Sequence, residues 1–147
     1  MKRNMYYLAI VMAVAAGLAF SAPVGAGETY QLGLSLAITG PTSDAGNPYS
    51  KGVEDYMRFA NDTKILGDAK IDCPIRDDMY KTAVTKRNFE DFLDQGMIFF
   101  LSYATGANQA LAPDFTEVQI PVVPASMDSS LMKASPYIFL PIASYSH

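Results

Sequence analysis

Four clusters of small and hydroxyl-bearing residues recur along this chain, each directly behind an apolar run. They are Thr39-Gly40-Pro41-Thr42-Ser43, Ser102-Tyr103-Ala104-Thr105-Gly106-Ala107, Ala125-Ser126-Met127-Asp128-Ser129 and Ser144-Tyr145-Ser146. Small side chains let a ligand reach the backbone, hydroxyls supply neutral donors and acceptors, and tyrosines form flat apolar walls. Backbone N–H groups at helix starts attract anions such as a carboxylate. This is the chemistry of capture, not of bond cleavage. Any one of these Thr, Ser or Asp residues serves equally well as a helix cap, so the argument rests on all four clusters meeting at one edge of a sheet.

Catalytic constellations are sparse. The one histidine, His147, leaves a Ser-His-Asp or Cys-His arrangement without a plausible base. No Cys/His cluster has metal-ligand spacing, and no G-x-S-x-G, Walker-type or G-x-G-x-x-G run follows an apolar segment. No enzyme activity, cofactor or metal is expected. Asp77-Asp78 is the one acidic pair. Two carboxylates there could hold a hard cation or do acid–base work. The simpler reading has one capping a helix and the other solvated, since no third acid or nucleophile stands nearby. Cys73 is the single cysteine, so an intrachain disulfide is excluded, and it reads as a small apolar group within a strand.

The elements that must position the clusters alternate regularly. Strands are expected at Tyr30–Ala37, Lys70–Arg76, Met97–Tyr103, Ile120–Pro124 and Tyr137–Ile142. The run from Met97 is almost wholly apolar, as for a strand buried on both faces. A first helix is expected from Pro48 to Asn61, with Tyr49, Val53, Tyr56, Met57 and Ala60 in one stripe, because proline suits a first helical turn. A second spans Thr82–Gln95 and stops at Gly96. A third spans Asn108–Val118, where Pro113 should kink the helix or shift its start. A short helix or turn is expected near Ser129–Lys133. The alternation predicts an α/β fold, a mainly parallel, doubly wound sheet with helices on both faces. In such a sheet all four clusters lie at the carboxyl edge, where open α/β folds bind small molecules.

Residues 1–26 read as a secretory signal peptide: Lys2 and Arg3, then an uncharged apolar stretch Tyr6–Phe20, then the small residues Val24-Gly25-Ala26. Residues 27–147 then form one exported domain, with a periplasmic destination. The formal net charge is −4 and becomes more negative without Lys2 and Arg3. An acidic chain without a basic cluster is a poor nucleic-acid binder.

Leu34-Ser35-Leu36-Ala37-Ile38-Thr39-Gly40-Pro41, Gly46-Asn47-Pro48-Tyr49-Ser50-Lys51-Gly52, Arg76-Asp77-Asp78 and Ile120-Pro121-Val122-Val123-Pro124-Ala125-Ser126 resemble, in order and spacing, the periplasmic solute-binding proteins of ABC importers, of the leucine/isoleucine/valine-binding type. The resemblance implies two α/β lobes closing over an amino acid, a membrane permease as partner, and a first lobe that grips the carboxylate and ammonium. Carried onto this sequence, the ligand-binding residues are Tyr103, Thr105, Gly106, Ala125, Ser126 and Met127. Backbone N–H and the Thr105 hydroxyl would take the carboxylate. A carbonyl near Ala125 and the Ser126 hydroxyl would face the ammonium. Met127 stands where the family commonly has a hydroxyl, which admits a more apolar or aromatic ligand.

The family continues into a second lobe, so residues 27–147 are expected to be an N-terminal lobe that binds weakly alone and leaves apolar surface exposed. An extracytoplasmic sensor domain would use the same pocket. A small secreted metal-dependent enzyme built on Asp77-Asp78 is the alternative from a different class.

Overall fold

The computed structural model describes residues 27–145. The expected leader, and Ser146 and His147, lie outside that range. Strand β1, Thr29–Leu36, is the hub of a parallel sheet. On one side it pairs with β2, Lys70–Asp72, and β3, Ile75–Asp77. On the other it pairs with β4, Phe99–Ser102, which in turn pairs with β5, Val122–Pro124. Helix α1 (Ser43–Asp62) follows β1, α2 (Thr82–Asp94) follows β3, α3 (Thr105–Val118) follows β4, and the short α4 (Leu131–Ala134) follows β5. The mainly parallel α/β architecture expected from the sequence is the one observed.

Strand polarity sorts the side chains between two layers. Leu34, Leu36 and Leu101 point to the α1 side, with Val53, Ile75 and Phe99 packed against them. Phe100 and Val122 point the other way and join Phe89 and Phe92 of α2, Leu111 and Phe115 of α3, and Leu131 and Ile138. Alternate residues of β4 therefore serve opposite faces, which is why its sequence is apolar throughout. The crossover from β1 to β2 lies on one face and those from β3 to β4 and β4 to β5 on the other. Strand order reverses between β1 and β4.

Four expectations change. Helix α1 begins at Ser43, not Pro48. The Thr42 carbonyl accepts the Ala45 and Gly46 amides (3.2 and 2.9 Å) and starts the helix a turn early. Pro48 and the residue four before it, Asp44, are both exposed, where water takes up the carbonyl that proline cannot serve. Gly46 is required there, because a Cβ would sit 1.9 Å from the Ala37 carbonyl oxygen.

The expected second strand is split into β2 and β3 by Cys73-Pro74. Both halves hold one register on β1, Thr29 opposite Lys70 and Leu36 opposite Asp77. Pro74 is tolerated because this is an edge. Helix α3 starts at Thr105, three residues early, and runs through Pro113 on its exposed side. The expected fifth strand is a single parallel bridge, Val122 to Ile138, bracketed by Pro136 and Pro141. No helix among the described residues is long and apolar enough to cross a membrane.

Candidate functional site

The carboxyl ends of β1, β3, β4 and β5 open into one cleft of about 400 Å³, at the point where strand order reverses. Its lining is Thr42 and Ala45 at the start of α1, Tyr49 one turn on, Tyr80 behind β3, Tyr103, Ala104 and Thr105 behind β4, Ala125 and Ser126 behind β5, and Tyr145. None of these side chains carries a formal charge.

The neutral lining is rich in exposed bonding capacity. Ala104 is the N-cap of α3 and has no side chain to cap with. The first intrahelical bond runs from the Asn108 amide to the Ala104 carbonyl (3.1 Å), so the amides of Thr105, Gly106 and Ala107 precede the ladder. Amides at a helix start favour an anion. The Thr105 and Ser126 hydroxyls meet at 2.5 Å. Only one O–H proton is used in that contact, and the other remains for a ligand. Thr42 Oγ1 is the one buried side-chain oxygen or nitrogen among the described residues without a hydrogen-bond partner.

Hydrogen bonds fix these loops to one another. Ala125 N–H donates to the Ser102 carbonyl (2.8 Å), tying the β5 loop to the β4 loop. The Asn108 side chain spans the β4 loop by accepting from the Ser102 hydroxyl and donating to the Ala104 carbonyl (2.7 Å). Tyr145 N–H donates to the Met127 carbonyl (3.0 Å) and brings that ring to the cleft. Tyr103 is the centre of an aromatic wall. It meets Tyr49 at 6.3 Å and Tyr80 at 6.1 Å, both edge to face. Burial, and then the neighbouring Tyr103, push the Tyr49 phenol above its ordinary value, so it stays a neutral donor.

Of the six residues singled out from the sequence, Tyr103, Thr105, Ala125 and Ser126 line the cleft together. Gly106 lies exposed in the first turn of α3 and Met127 is buried, both outside the lining. Sequence reasoning assigned Tyr49 to the helix stripe that packs inward and passed over Tyr80. An aromatic residue in the first turns of a helix that opens at a strand's carboxyl edge is a signal for the former. Nothing local marks the latter.

Asp77 and Asp78 are a correction. Neither caps α2, and Asp77, though near the surface, is not free. Asp77 Oδ1 accepts the amides of Ile38, Thr39 and Met79, and its other oxygen accepts the Thr39 hydroxyl. Burial works against its charge, but these bonds outweigh it and hold Asp77 below the usual carboxylate range. Asp78 is fully buried and accepts the Tyr80 amide and the Ser35 and Thr85 hydroxyls. Burial pushes its carboxyl up despite those bonds, and the charge of Asp77 adds to the rise. Among the described residues no three His, Cys, Asp or Glu stand close enough to hold a metal ion. Both carboxylates are committed to internal donors. Burial also pushes the Cys73 thiol up to about 12, which disfavours the reactive thiolate.

A branched-chain amino acid ABC transporter protein from Thermus thermophilus, solved with bound valine, is 47% identical, with a TM-score of 0.79 over 83% of this chain and 33% of that one. An ABC transporter substrate-binding protein from Aeropyrum pernix is 28% identical, with a TM-score of 0.76 over 82% of this chain and 32% of that one. A solute-binding protein of an ABC transporter from Rhodopseudomonas palustris, in complex with 3,4-dihydroxybenzoic acid, is 25% identical, with a TM-score of 0.66 over 75% of this chain and 31% of that one. The chain spans about a third of the length of these solved relatives. No curated protein sequence matches it. A family model described as periplasmic binding protein matches residues 29–147. With the reversal-point cleft, that match and the 47% identity over most of its length, the chain belongs to the periplasmic binding protein family.

Proposed function

We propose that residues 27–147 form the first lobe of an extracytoplasmic solute-binding component of an ABC-type amino-acid importer, exported by residues 1–26 to the periplasm. The lobe captures a small amino-acid-like ligand and presents it, chemically unchanged, to a membrane permease. One observation carries this reading. Loops from four strands converge on a cleft whose polar groups are neutral hydroxyls and the uncapped start of α3. A zwitterion fits such a surface. Its carboxylate takes the amides of Thr105, Gly106 and Ala107 and the Thr105 hydroxyl. Its ammonium faces the Ala125 carbonyl and the Ser126 oxygen. Its side group lies on Tyr103, Tyr49 and Tyr80. The valine bound to the Thermus thermophilus relative supports the ligand class.

The cleft is open on one side, so charges held there stay wet and each contact is weak. Closure by a second lobe, which the family resemblance implies, would remove that water. Binding to this chain alone is therefore expected in the millimolar range.

A second reading, an aromatic carboxylic acid, is favoured by the tyrosine wall and by the 3,4-dihydroxybenzoic acid in the Rhodopseudomonas palustris relative. Amide NMR spectra of the chain titrated with L-valine, and separately with 3,4-dihydroxybenzoate, test both. L-valine should move the signals of Thr105, Gly106, Ala107 and Ser126. If only the benzoate moves them, the second reading replaces the first. If neither ligand moves them at millimolar concentration, the binding role is lost.

A further inference from the structure

Two consecutive non-glycine residues, Met79 and Tyr80, have left-handed backbones, with φ of 54° and 61°. Side chains disfavour this region, and strain of this kind persists only where the surroundings impose it. Here the two preceding side chains impose it. Asp77 Oδ1 accepts the Met79 amide at 2.9 Å and Asp78 Oδ1 accepts the Tyr80 amide at 2.9 Å. The Asp78 carbonyl takes the Lys81 amide, also at 2.9 Å. Each carboxylate is anchored in turn. Asp77 grips the Ile38 and Thr39 amides of the loop that carries Thr42. Asp78 is held by the hydroxyls of Ser35 of β1 and Thr85 of α2, and the Asn88 side-chain amide donates to the Ser35 hydroxyl oxygen. The two loops touch. At Gly40, φ is 92°, and a Cβ there would lie 2.8 Å from the Met79 carbonyl oxygen. The product of this arrangement is a ring. Tyr80 stands in the cleft 6.1 Å from Tyr103 at 77°.

We propose that Asp77 and Asp78 are positioning residues for the cleft: they hold the Met79-Tyr80 turn left-handed and so set the Tyr80 ring as a wall that limits the size of the ligand's side group. The size limit rests on the cleft being the ligand site. The positioning does not.

The positioning is tested without ligand. In NMR spectra of the full chain, ring protons of Tyr80 and Tyr103 should show a nuclear Overhauser contact. Asp77→Ala should abolish it while the remaining amide signals stay dispersed. Adding Met79→Gly, which adopts the left-handed turn at little cost, should restore it at least in part. A contact that survives Asp77→Ala, or a loss that Met79→Gly does not repair, overturns the proposal. Should Asp77→Ala not fold, Met79→Gly is compared with Met79→Ala. A higher melting midpoint for the glycine variant supports the imposed turn, and a midpoint no higher overturns it.

The size limit is tested by titrating L-valine and L-phenylalanine. Tyr80→Ala should shift preference toward phenylalanine by about tenfold, and Asp77→Ala should shift it the same way. An unchanged preference in Tyr80→Ala overturns the size limit. Binding of neither amino acid to the unaltered chain overturns the amino-acid reading of the cleft, and with it the size limit, while the ring contact still decides the positioning.

Discussion

Two groups of aromatic rings use the same contact for opposite ends. On the α2–α3 side of the sheet, Phe89 meets Phe100 and Phe115 edge to face, both at 5.1 Å, and all three rings are at most 1% exposed. At the carboxyl edge, Tyr103 meets Tyr49 and Tyr80 edge to face at slightly longer range, and the two outer rings stay about 40% exposed. The phenylalanines have nothing to offer water and are sealed by two helices. The tyrosines carry a hydroxyl that must find a partner, which keeps them at a wet rim. Burial holds the first group. In the second, the turn that carries Tyr80 is held by the carboxylates of Asp77 and Asp78. Volume should therefore govern the core, and hydrogen bonding the rim.

The largest effect should come from the core. Phe100→Ala is expected to cost about 3–5 kcal/mol in denaturant unfolding, from lost transfer energy and the cavity left between α2 and α3. A loss under about 1 kcal/mol would mean the core is not sealed as described. A smaller effect, dependent on acid, should appear at the rim. The carboxyl of Asp77 is held low in the folded chain. Its stabilisation is therefore full above the ordinary carboxylate value of about 3.9 and is lost as pH falls through the lower folded value. The stability advantage of the unaltered chain over Asp77→Asn should shrink on acidification below about pH 4, read from denaturant melts at stepped pH. Asp78, whose carboxyl is raised, works in the opposite sense. Its contribution is present below the ordinary value and lost as pH rises through the folded one. An advantage of Asp77 that grows toward acid would contradict the bonding described.

The smallest effect on stability sharpens the contrast. Thr42 Oγ1 is buried without a partner, so Thr42→Val removes an unsatisfied group rather than a bond. Unfolding free energy should change by no more than about 0.5 kcal/mol, or rise slightly. A large loss of stability would show that the hydroxyl serves the fold.

Much of the architecture is legible in local pattern. The apolar run around Phe99–Ser102 announces a strand buried on both faces, and hydroxyl clusters behind successive apolar runs announce a carboxyl-edge cleft. The misses share a cause. Pro48 reads as a helix start by local rules, yet the Thr42 carbonyl and the close approach of Gly46 to Ala37 begin α1 earlier. Pro74 reads as part of a strand until its place at the sheet edge allows an interruption. The Asp77-Asp78 pair reads as one helix cap and one solvated carboxylate until the loop from β1 folds over it.

Sequence alone determined the alternation of the main strands and helices and the family resemblance, because these follow from periodicity and from short motifs within one element. Only the tertiary structure decided that Tyr80 belongs to the cleft and that two carboxylates are supports, not ligands. Those outcomes depend on bonds between residues about forty positions apart, Asp77 to Thr39 and Asp78 to Ser35, which no local pattern encodes. The left-handed turn is held by the two side chains just before it, but those carboxylates are themselves anchored on β1 and the loop behind it, so the full arrangement appears only once the distant segments are side by side.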